Sequence, residues 1–167
     1  MVFTEKQKFN QPWIWIGLII MGVTTIGMFG LAFYRQIIQG KKFGNNPMSD
    51  NALIIVFILI TLMFFLLILL FVFAKLTTVI DKNGVAFRFF PFQFRFTKIA
   101  WSEIESAEVI TYNPIRECGG WGIKYNKKGK VFNVAGDKGL QLQLRNGKTI
   151  LIGTQQSAGL AKYLSIC

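Results

Sequence analysis

The stretch ECGGWGIKY, residues 117–125, contains the residues of this chain whose types could do chemistry. Cys118 could be a nucleophile, since Arg116 would favour its thiolate form, and a glycine-rich loop could cradle a phosphate group. The glycines lack both the G-x-G-x-x-G order and the Gly-Lys-Thr ending of a phosphate loop, and a predicted strand follows them. The stretch therefore indicates a bend in the chain, with Gly119 and Gly120 allowing the sharp change of direction.

The sequence offers few residues for acid–base catalysis or metal binding. The chain contains no histidine, which excludes His-based proton transfer, the usual catalytic triads and most zinc and haem sites. Of three nearby acids, Glu103 and Glu105 share one face of a strand while Glu108 lies on the other, so we expect solvated side chains. Cys118 has no histidine and no resolving cysteine beside it. The sequence predicts no enzyme, no catalytic residue, no metal and no cofactor.

Two long apolar runs dominate the chain. Residues 13–33 form 21 consecutive residues without a charge, and residues 52–74 form 23. A helix of about 20 apolar residues spans the hydrocarbon core of a bilayer, so both runs are predicted transmembrane helices. The first run is longer than a signal-peptide core and lacks a cleavage pattern, so we interpret it as a retained span. The connecting loop, residues 34–51, is too short for a folded domain.

Charges at the ends of the two spans predict the topology. Basic residues near span ends favour the cytoplasmic side, and five of them flank the outer ends of the hairpin against three in its loop. The five are Lys6, Lys8, Lys75, Lys82 and Arg88, and the three are Arg35, Lys41 and Lys42. We therefore expect a short external loop and cytoplasmic termini, with residues 1–12 as a polar tail.

Residues 75–167 show the pattern of a small β-rich domain. Two Asn-Gly pairs, Asn83-Gly84 and Asn146-Gly147, each separate β-prone runs, which is a strong hairpin signal. The segments VAFRFF, 85–90, and FQFRFTKIAW, 92–101, predict two strands about Pro91, and phenylalanine at every second position from 90 to 96 predicts one aromatic face. Leu160 and Leu164 lie at helical spacing near the end of the chain. We predict a single antiparallel domain of about seven strands with a C-terminal helix.

Three segments carry a family resemblance: WSEIESAEV, GGWGIKY…GKVFNVAGDKGLQLQL and KTILIGTQQ with the short helix after it. With the preceding helical hairpin, they resemble the bacterial pleckstrin-homology-like membrane protein family, the small two-helix proteins of Bacteroidota type. The resemblance implies a membrane α+β protein, in which a transmembrane hairpin precedes a PH-like antiparallel β-barrel. It also implies the bacterial inner membrane, but it supplies no activity to transfer.

Two sets of residues are candidates for binding. Residues 75–167 contain 14 basic and 6 acidic residues, so eight of the eleven net positive charges lie there, and such a domain is attracted to an anionic leaflet. Basic residues on the first strands resemble the phosphoinositide site of PH domains, but Phe90 replaces one expected basic partner, so we favour non-specific electrostatics. The candidate lipid-surface residues are Lys75, Lys82, Arg88, Arg95, Lys124, Lys127, Lys128 and Lys130.

Trp121 could fill the core of the domain or serve, with Arg116, as a contact for a protein partner. No aromatic platform for stacked bases is evident, so no nucleic-acid partner is expected, and no small-molecule substrate is predicted. The sequence therefore predicts a non-enzymatic membrane protein that presents a binding or scaffold domain, an accessory or assembly subunit of a membrane complex. The alternative is a sensor of anionic lipid surfaces.

Overall fold

The computed structural model describes residues 2–125 and 129–165. The chain divides into two compact units. One is a helical unit, Asn10–Val72, and the other is a β unit that combines the residues up to Phe9 with those from Phe73 onward. The β unit is thus assembled from chain segments on both sides of the helices.

The helical unit contains the two predicted long helices. Helix α1 is Pro12–Phe33 and continues into a π-helical segment, Tyr34–Ile38, and helix α2 is Asp50–Phe73. These bounds confirm the predicted helices at 13–33 and 52–74 to within two residues. Both helices are long and apolar enough to cross a membrane, and few of their residues are buried within the structure. An apolar surface of this kind is the one that lipid would solvate.

Phenylalanines of α2 pack against glycines of α1. A Cβ added at Gly22 would lie 3.6 Å from the ring of Phe64, and one at Gly30 would lie 3.8 Å from Phe57. Phe57 also stacks on Phe33, with ring centroids 5.4 Å apart. Both distances are ordinary van der Waals contacts, so the glycines face the phenylalanine side of α2 with room for a methyl group at each position.

The β unit contains two sheets. Sheet A has the strand order β1-β2-β3-β4 and is antiparallel, and sheet B has the order β5-β8-β9-β7-β6. In sheet B, β7 and β9 run parallel to each other. The strands are β1 Phe3–Lys8, β2 Lys75–Asp81, β3 Gly84–Phe90, β4 Thr97–Ala100, β5 Ile104–Thr111, β6 Gly122–Tyr125, β7 Gly129–Asn133, β8 Lys138–Leu144 and β9 Thr149–Gly153.

This arrangement corrects the prediction of an antiparallel barrel of about seven strands. The described residues form nine strands in two sheets, with one parallel pair and no closed barrel. The coarser prediction is confirmed, since two long apolar helices precede a β-rich region that ends in a C-terminal helix, α4, Ser157–Leu164. Both Asn-Gly pairs lie in turns, one between β2 and β3 and the other between β8 and β9.

The N-terminal segment expected to be a polar tail forms strand β1 instead. It pairs with β2 along its full length, from Phe3 opposite Ile80 to Lys8 opposite Lys75. Its inward side chains are polar: Glu5 is 3% exposed and Gln7 is 1% exposed. Phe3 shares this face and is half-buried, but the two fully buried residues of the strand are polar, so the strand lacks the apolar alternation by which strands are usually found in a sequence.

Apolar side chains from both sheets form the core of the β unit. The rings of Phe87 on β3 and Phe132 on β7 have centroids 4.7 Å apart. Leu142 and Ile152 on sheet B and Leu160 on α4 are almost completely buried. Burial of such side chains stabilises the fold by about 1.5–3 kcal/mol each.

Candidate functional site

The stretch around Cys118 forms a helix and a bend. Helix α3, Pro114–Cys118, is capped by Asn113, whose side-chain oxygen accepts hydrogen bonds from the backbone N–H groups of Ile115 and Arg116. Gly119 ends the helix with φ at 69°, and the next two glycines of the stretch also have positive φ. Glycine adopts such angles at little cost, so the interpretation of these glycines as a bend is confirmed.

Cys118 points into the protein interior. It is 7% exposed and packs in a cluster with Tyr112, Val131 and Leu151. The Tyr112 hydroxyl accepts a hydrogen bond from Nδ2 of Asn133 at 2.9 Å, and burial raises the pKa of Tyr112 from 10.0 to about 12. A buried thiol among apolar neighbours is not placed to react with a substrate, so this cluster is structural.

The two candidate partner residues lie on either side of the bend. Arg116 is exposed on α3, and Trp121 is half-buried just before β6. The indole N–H of Trp121 donates to the carbonyl oxygen of Gly136 at 3.3 Å. Trp121 is therefore neither a fully buried core residue nor a fully exposed one, and part of its ring faces solvent beside the β6 edge of sheet B.

The three acidic candidates are exposed to solvent. Glu103, Glu105 and Glu108 are exposed on the 3₁₀ turn and the strand that follow Trp101. Within residues 2–125 and 129–165, no group of three His, Cys, Asp or Glu side chains is placed to hold a metal ion.

The predicted lipid-surface residues do not form one face. Lys82 lies in the turn at the far end of the β2–β3 hairpin, about 20 Å along the strand from Lys75 at a rise of about 3.3 Å per residue. Lys124 and Lys130 lie on sheet B, with the Nζ of Lys130 5.1 Å from the ring centroid of Phe132. Lys127 and Lys128 lie outside the described residues.

Sheet A gathers a different set of basic residues at one end. Residues opposite each other on antiparallel strands share a face, and two such rows cross β1, β2 and β3. One row is Lys8, Lys75 and Phe90, and the other is Lys6, Thr77 and Arg88. We call Lys6, Lys8, Lys75 and Arg88 the basic patch.

Two members of the basic patch were not among the candidates drawn from the sequence. Lys6 and Lys8 were assigned to a tail, and only the pairing of β1 with β2 brings them beside Lys75. The signal was present in the alternation of FTEKQK, which sets Lys6 and Lys8 on one face and Glu5 and Gln7 on the other. The basic patch therefore lies on the face of sheet A opposite Glu5 and Gln7, with Lys6 and Lys8 exposed and Lys75 and Arg88 half-buried.

A phenylalanine-rich loop adjoins the basic patch. Strand β3 ends at Phe90, as expected of the first of the two strands about Pro91. The second, expected at 92–101, begins only at Thr97, and residues 91–96 form a loop before β4. Phe92 is 60% exposed and Phe94 is 75% exposed. Arg95 is also exposed in this loop. We call residues 91–96 the phenylalanine loop.

Comparisons with known proteins add nothing to this geometry: no family model, no curated protein and no solved structure matches the chain.

Proposed function

We propose that this chain is a non-enzymatic integral membrane protein that presents its β unit, as a PH-like binding domain, to a protein partner. In this proposal α1 and α2 cross the bacterial inner membrane, both termini are cytoplasmic, and the protein is an accessory or assembly subunit of a membrane complex. The composition of the helices supports the membrane location, because each is long and apolar enough to span a bilayer.

The pairing of Lys8 with Lys75 is the observation that carries the membrane-hairpin part of this proposal. Lys8 is the last residue of β1 and Lys75 is the first of β2, and they lie opposite each other, with Cα atoms about 5 Å apart in such a pair. The chain therefore leaves the β unit and returns to it at one place. Two spans return a chain to the side from which it started, so this arrangement agrees with a membrane hairpin. The basic residues at that place favour the cytoplasmic side.

Strand β6 supplies the surface that fits a partner. In the described part of the chain it lies at the edge of sheet B and pairs with β7 alone. Tyr125 at its end is 76% exposed, Ile115 on α3 is 65% exposed, and Trp121 precedes it directly. An edge strand flanked by exposed apolar and aromatic side chains suits the addition of a strand from another chain, with Arg116 and Trp121 as side-chain contacts.

Co-purification in mild detergent tests this proposal. We expect a stoichiometric partner with the full-length protein and its loss in the variant Trp121→Ala, because a half-buried tryptophan is a typical contact hot spot. Trp101→Ala is the matched control, since Trp101 is also half-buried and its indole N–H donates to a backbone carbonyl, that of Asp81. Equal loss in both variants, or unfolding of Trp121→Ala, would remove the anchor of the proposed interface.

A second function, the sensing of anionic lipid surfaces, is favoured by the basic patch. Four basic side chains lie in two adjacent rows, and the acidic residues of the same strands lie elsewhere. Glu5 is on the buried face, and the Asp81 side chain accepts from the backbone N–H groups of Asn83 and Gly84 at the opposite end. Each basic residue near an anionic surface contributes about 1 kcal/mol. Lipid binding by such a patch should weaken as salt rises.

A further inference from the structure

We propose that the phenylalanine loop inserts into the lipid interface, with Phe92 and Phe94 entering the acyl region and the basic patch contacting anionic headgroups. This inference rests on the proposed membrane location and deepens the proposed lipid sensing, because it adds to the basic patch an apolar element that enters the bilayer. The occupant is an anionic bilayer surface.

The loop keeps two rings largely exposed: Phe92 stacks on the buried Phe89, with ring centroids 5.8 Å apart, yet is 60% exposed. The backbone N–H of Gln93 donates to the carbonyl of Phe89 at 2.8 Å, and the Gln93 side-chain oxygen accepts from the N–H of Phe89 at 3.2 Å. These two bonds fasten the middle of the loop to the end of β3. Phe94 then contacts Phe90 edge-on at 5.7 Å between ring centroids, yet remains 75% exposed. Aromatic rings held in this way present apolar surface at no further ordering cost on binding.

Two basic side chains contact Phe90 and Phe96, the aromatic residues that flank the exposed rings of the loop. Arg88 donates from Nη1 to the carbonyl oxygen of Phe94 at 3.4 Å, and its guanidinium lies 4.7 Å from the ring centroid of Phe96. The Nζ of Lys75 lies 5.9 Å from the ring centroid of Phe90. Apolar rings bordered by cations form the composition that suits a lipid interface, where rings enter the boundary and cations meet lipid phosphates. This charge complementarity favours an anionic bilayer over a protein surface.

The phenylalanine loop lies beside the first residue of β2. Lys75 follows Phe73, the last residue of α2, by only two residues. Phe90 is the cross-strand partner of Lys75, and the phenylalanine loop begins with the next residue. The exposed rings are thus on the end of sheet A at which the helices connect, and Lys82 is on the other end.

Photocrosslinking of the full-length protein tests the inference. The probe is benzoylphenylalanine, an aromatic residue that forms adducts with its neighbours, placed in turn at positions 94, 92, 82 and 59. The protein is reconstituted in vesicles of phosphatidylcholine mixed with phosphatidylglycerol, and adducts are identified by mass spectrometry. Leu59, which is 57% exposed on α2, reports on the helical hairpin, and Lys82 reports on the opposite end of sheet A.

We expect phospholipid adducts at positions 94 and 92 in several-fold excess over position 82, and at position 59 as well. The excess should fall several-fold in vesicles of phosphatidylcholine alone, and also in the variant Lys8→Gln/Lys75→Gln. Adducts at 59 but not at 94 or 92 would overturn the loop inference and leave the membrane anchor standing. No adducts at 59 would overturn the anchor, and with it the inference. Protein adducts at 94 would overturn the choice of lipid as the occupant.

Discussion

The carboxylate of Glu5 accepts a hydrogen bond from the hydroxyl of Thr154 at 2.6 Å, although the two residues are 149 positions apart. Its second oxygen accepts from the backbone N–H of Gln155 at 2.7 Å. Beside it, the side-chain amide of Gln7 donates to the carbonyl of Gly153 at 2.6 Å. Buried polar side chains of β1 therefore connect the first strand of the protein to the end of β9.

Glu5→Ala should lower the free energy of unfolding of the β unit by about 3 kcal/mol, because it removes two hydrogen bonds to a charged group and leaves the buried Thr154 hydroxyl without its acceptor. Denaturation in detergent, followed by near-ultraviolet circular dichroism, measures this. The control is Lys6→Ala, an exposed position on the same strand, which should change the free energy by no more than about 0.5 kcal/mol. Equal stability of the two variants would contradict the role of Glu5.

The β unit should fold without the helices when β1 is retained. We expect a chain in which Asn-Gly replaces residues 10–73 to fold. Phe9 directly follows Lys8 and Ala74 directly precedes its partner Lys75, so a two-residue turn can close the hairpin between them. Residues 75–167 alone lack β1 and should be less stable. Dispersion of amide signals in NMR spectra and thermal melting compare the two chains. A well-folded 75–167 chain would show that β1 is dispensable.

Gly84→Ala should separate β3 from β4. A Cβ at position 84 would collide with the carbonyl oxygen of Ile99 and approach the Cα of Ala100 to 2.9 Å, and φ is 150°. We expect a loss of about 3 kcal/mol from strain and overpacking together. Gly159→Ala is the control: no atom lies within 4 Å of the added Cβ, and in the helix α4 alanine should stabilise by about 0.5–1 kcal/mol. Thermal melting checks both variants: the melting temperature should fall for Gly84→Ala and rise for Gly159→Ala.

The stability of the β unit should depend on Tyr112 at alkaline pH. The pKa of Tyr112 is about 12 in the folded protein, against 10.0 for an ordinary tyrosine, so the folded state retains its proton where the unfolded state has lost it. Stability from this group is complete below pH 10 and falls as the pH rises from 10 towards 12. The difference between wild type and Tyr112→Phe, measured by denaturation across this range, isolates the effect. Parallel pH profiles would contradict it.

The helices and several turns of this protein could be predicted from its sequence, because each depends on local signals. Runs without charge specify α1 and α2 to within two residues, and Asn83-Gly84 and Asn146-Gly147 specify turns between strands. The bend at Gly119 is a similar case, since positive φ requires glycine or a close substitute. Local chemistry decides each of these features without help from distant residues.

The features that could not be predicted depend on contacts that local sequence signals do not reveal. Strand β1 was missed because its two fully buried residues are Glu5 and Gln7, whose partners lie about 150 positions away in the chain. The second strand expected after Pro91, at 92–101, begins only at Thr97. Gln93 instead forms hydrogen bonds with the end of β3, which alternation alone cannot reveal. The basic patch follows from the same pairing, since Lys6 and Lys8 gain their neighbours only in the ladder.

The position of β1 ahead of the helices also bears on how the protein is made. The ribosome releases this strand before the helices, and its partner β2 emerges only after both helices have been synthesised. If α1 and α2 insert together into a membrane, β1 and β2 remain on one side and can pair. If a single helix inserts, the membrane separates the two strands and sheet A cannot be completed. The β unit could then fold completely only in a chain that has inserted both helices. A wrongly inserted chain would be left with an unfolded β unit, which proteases could remove.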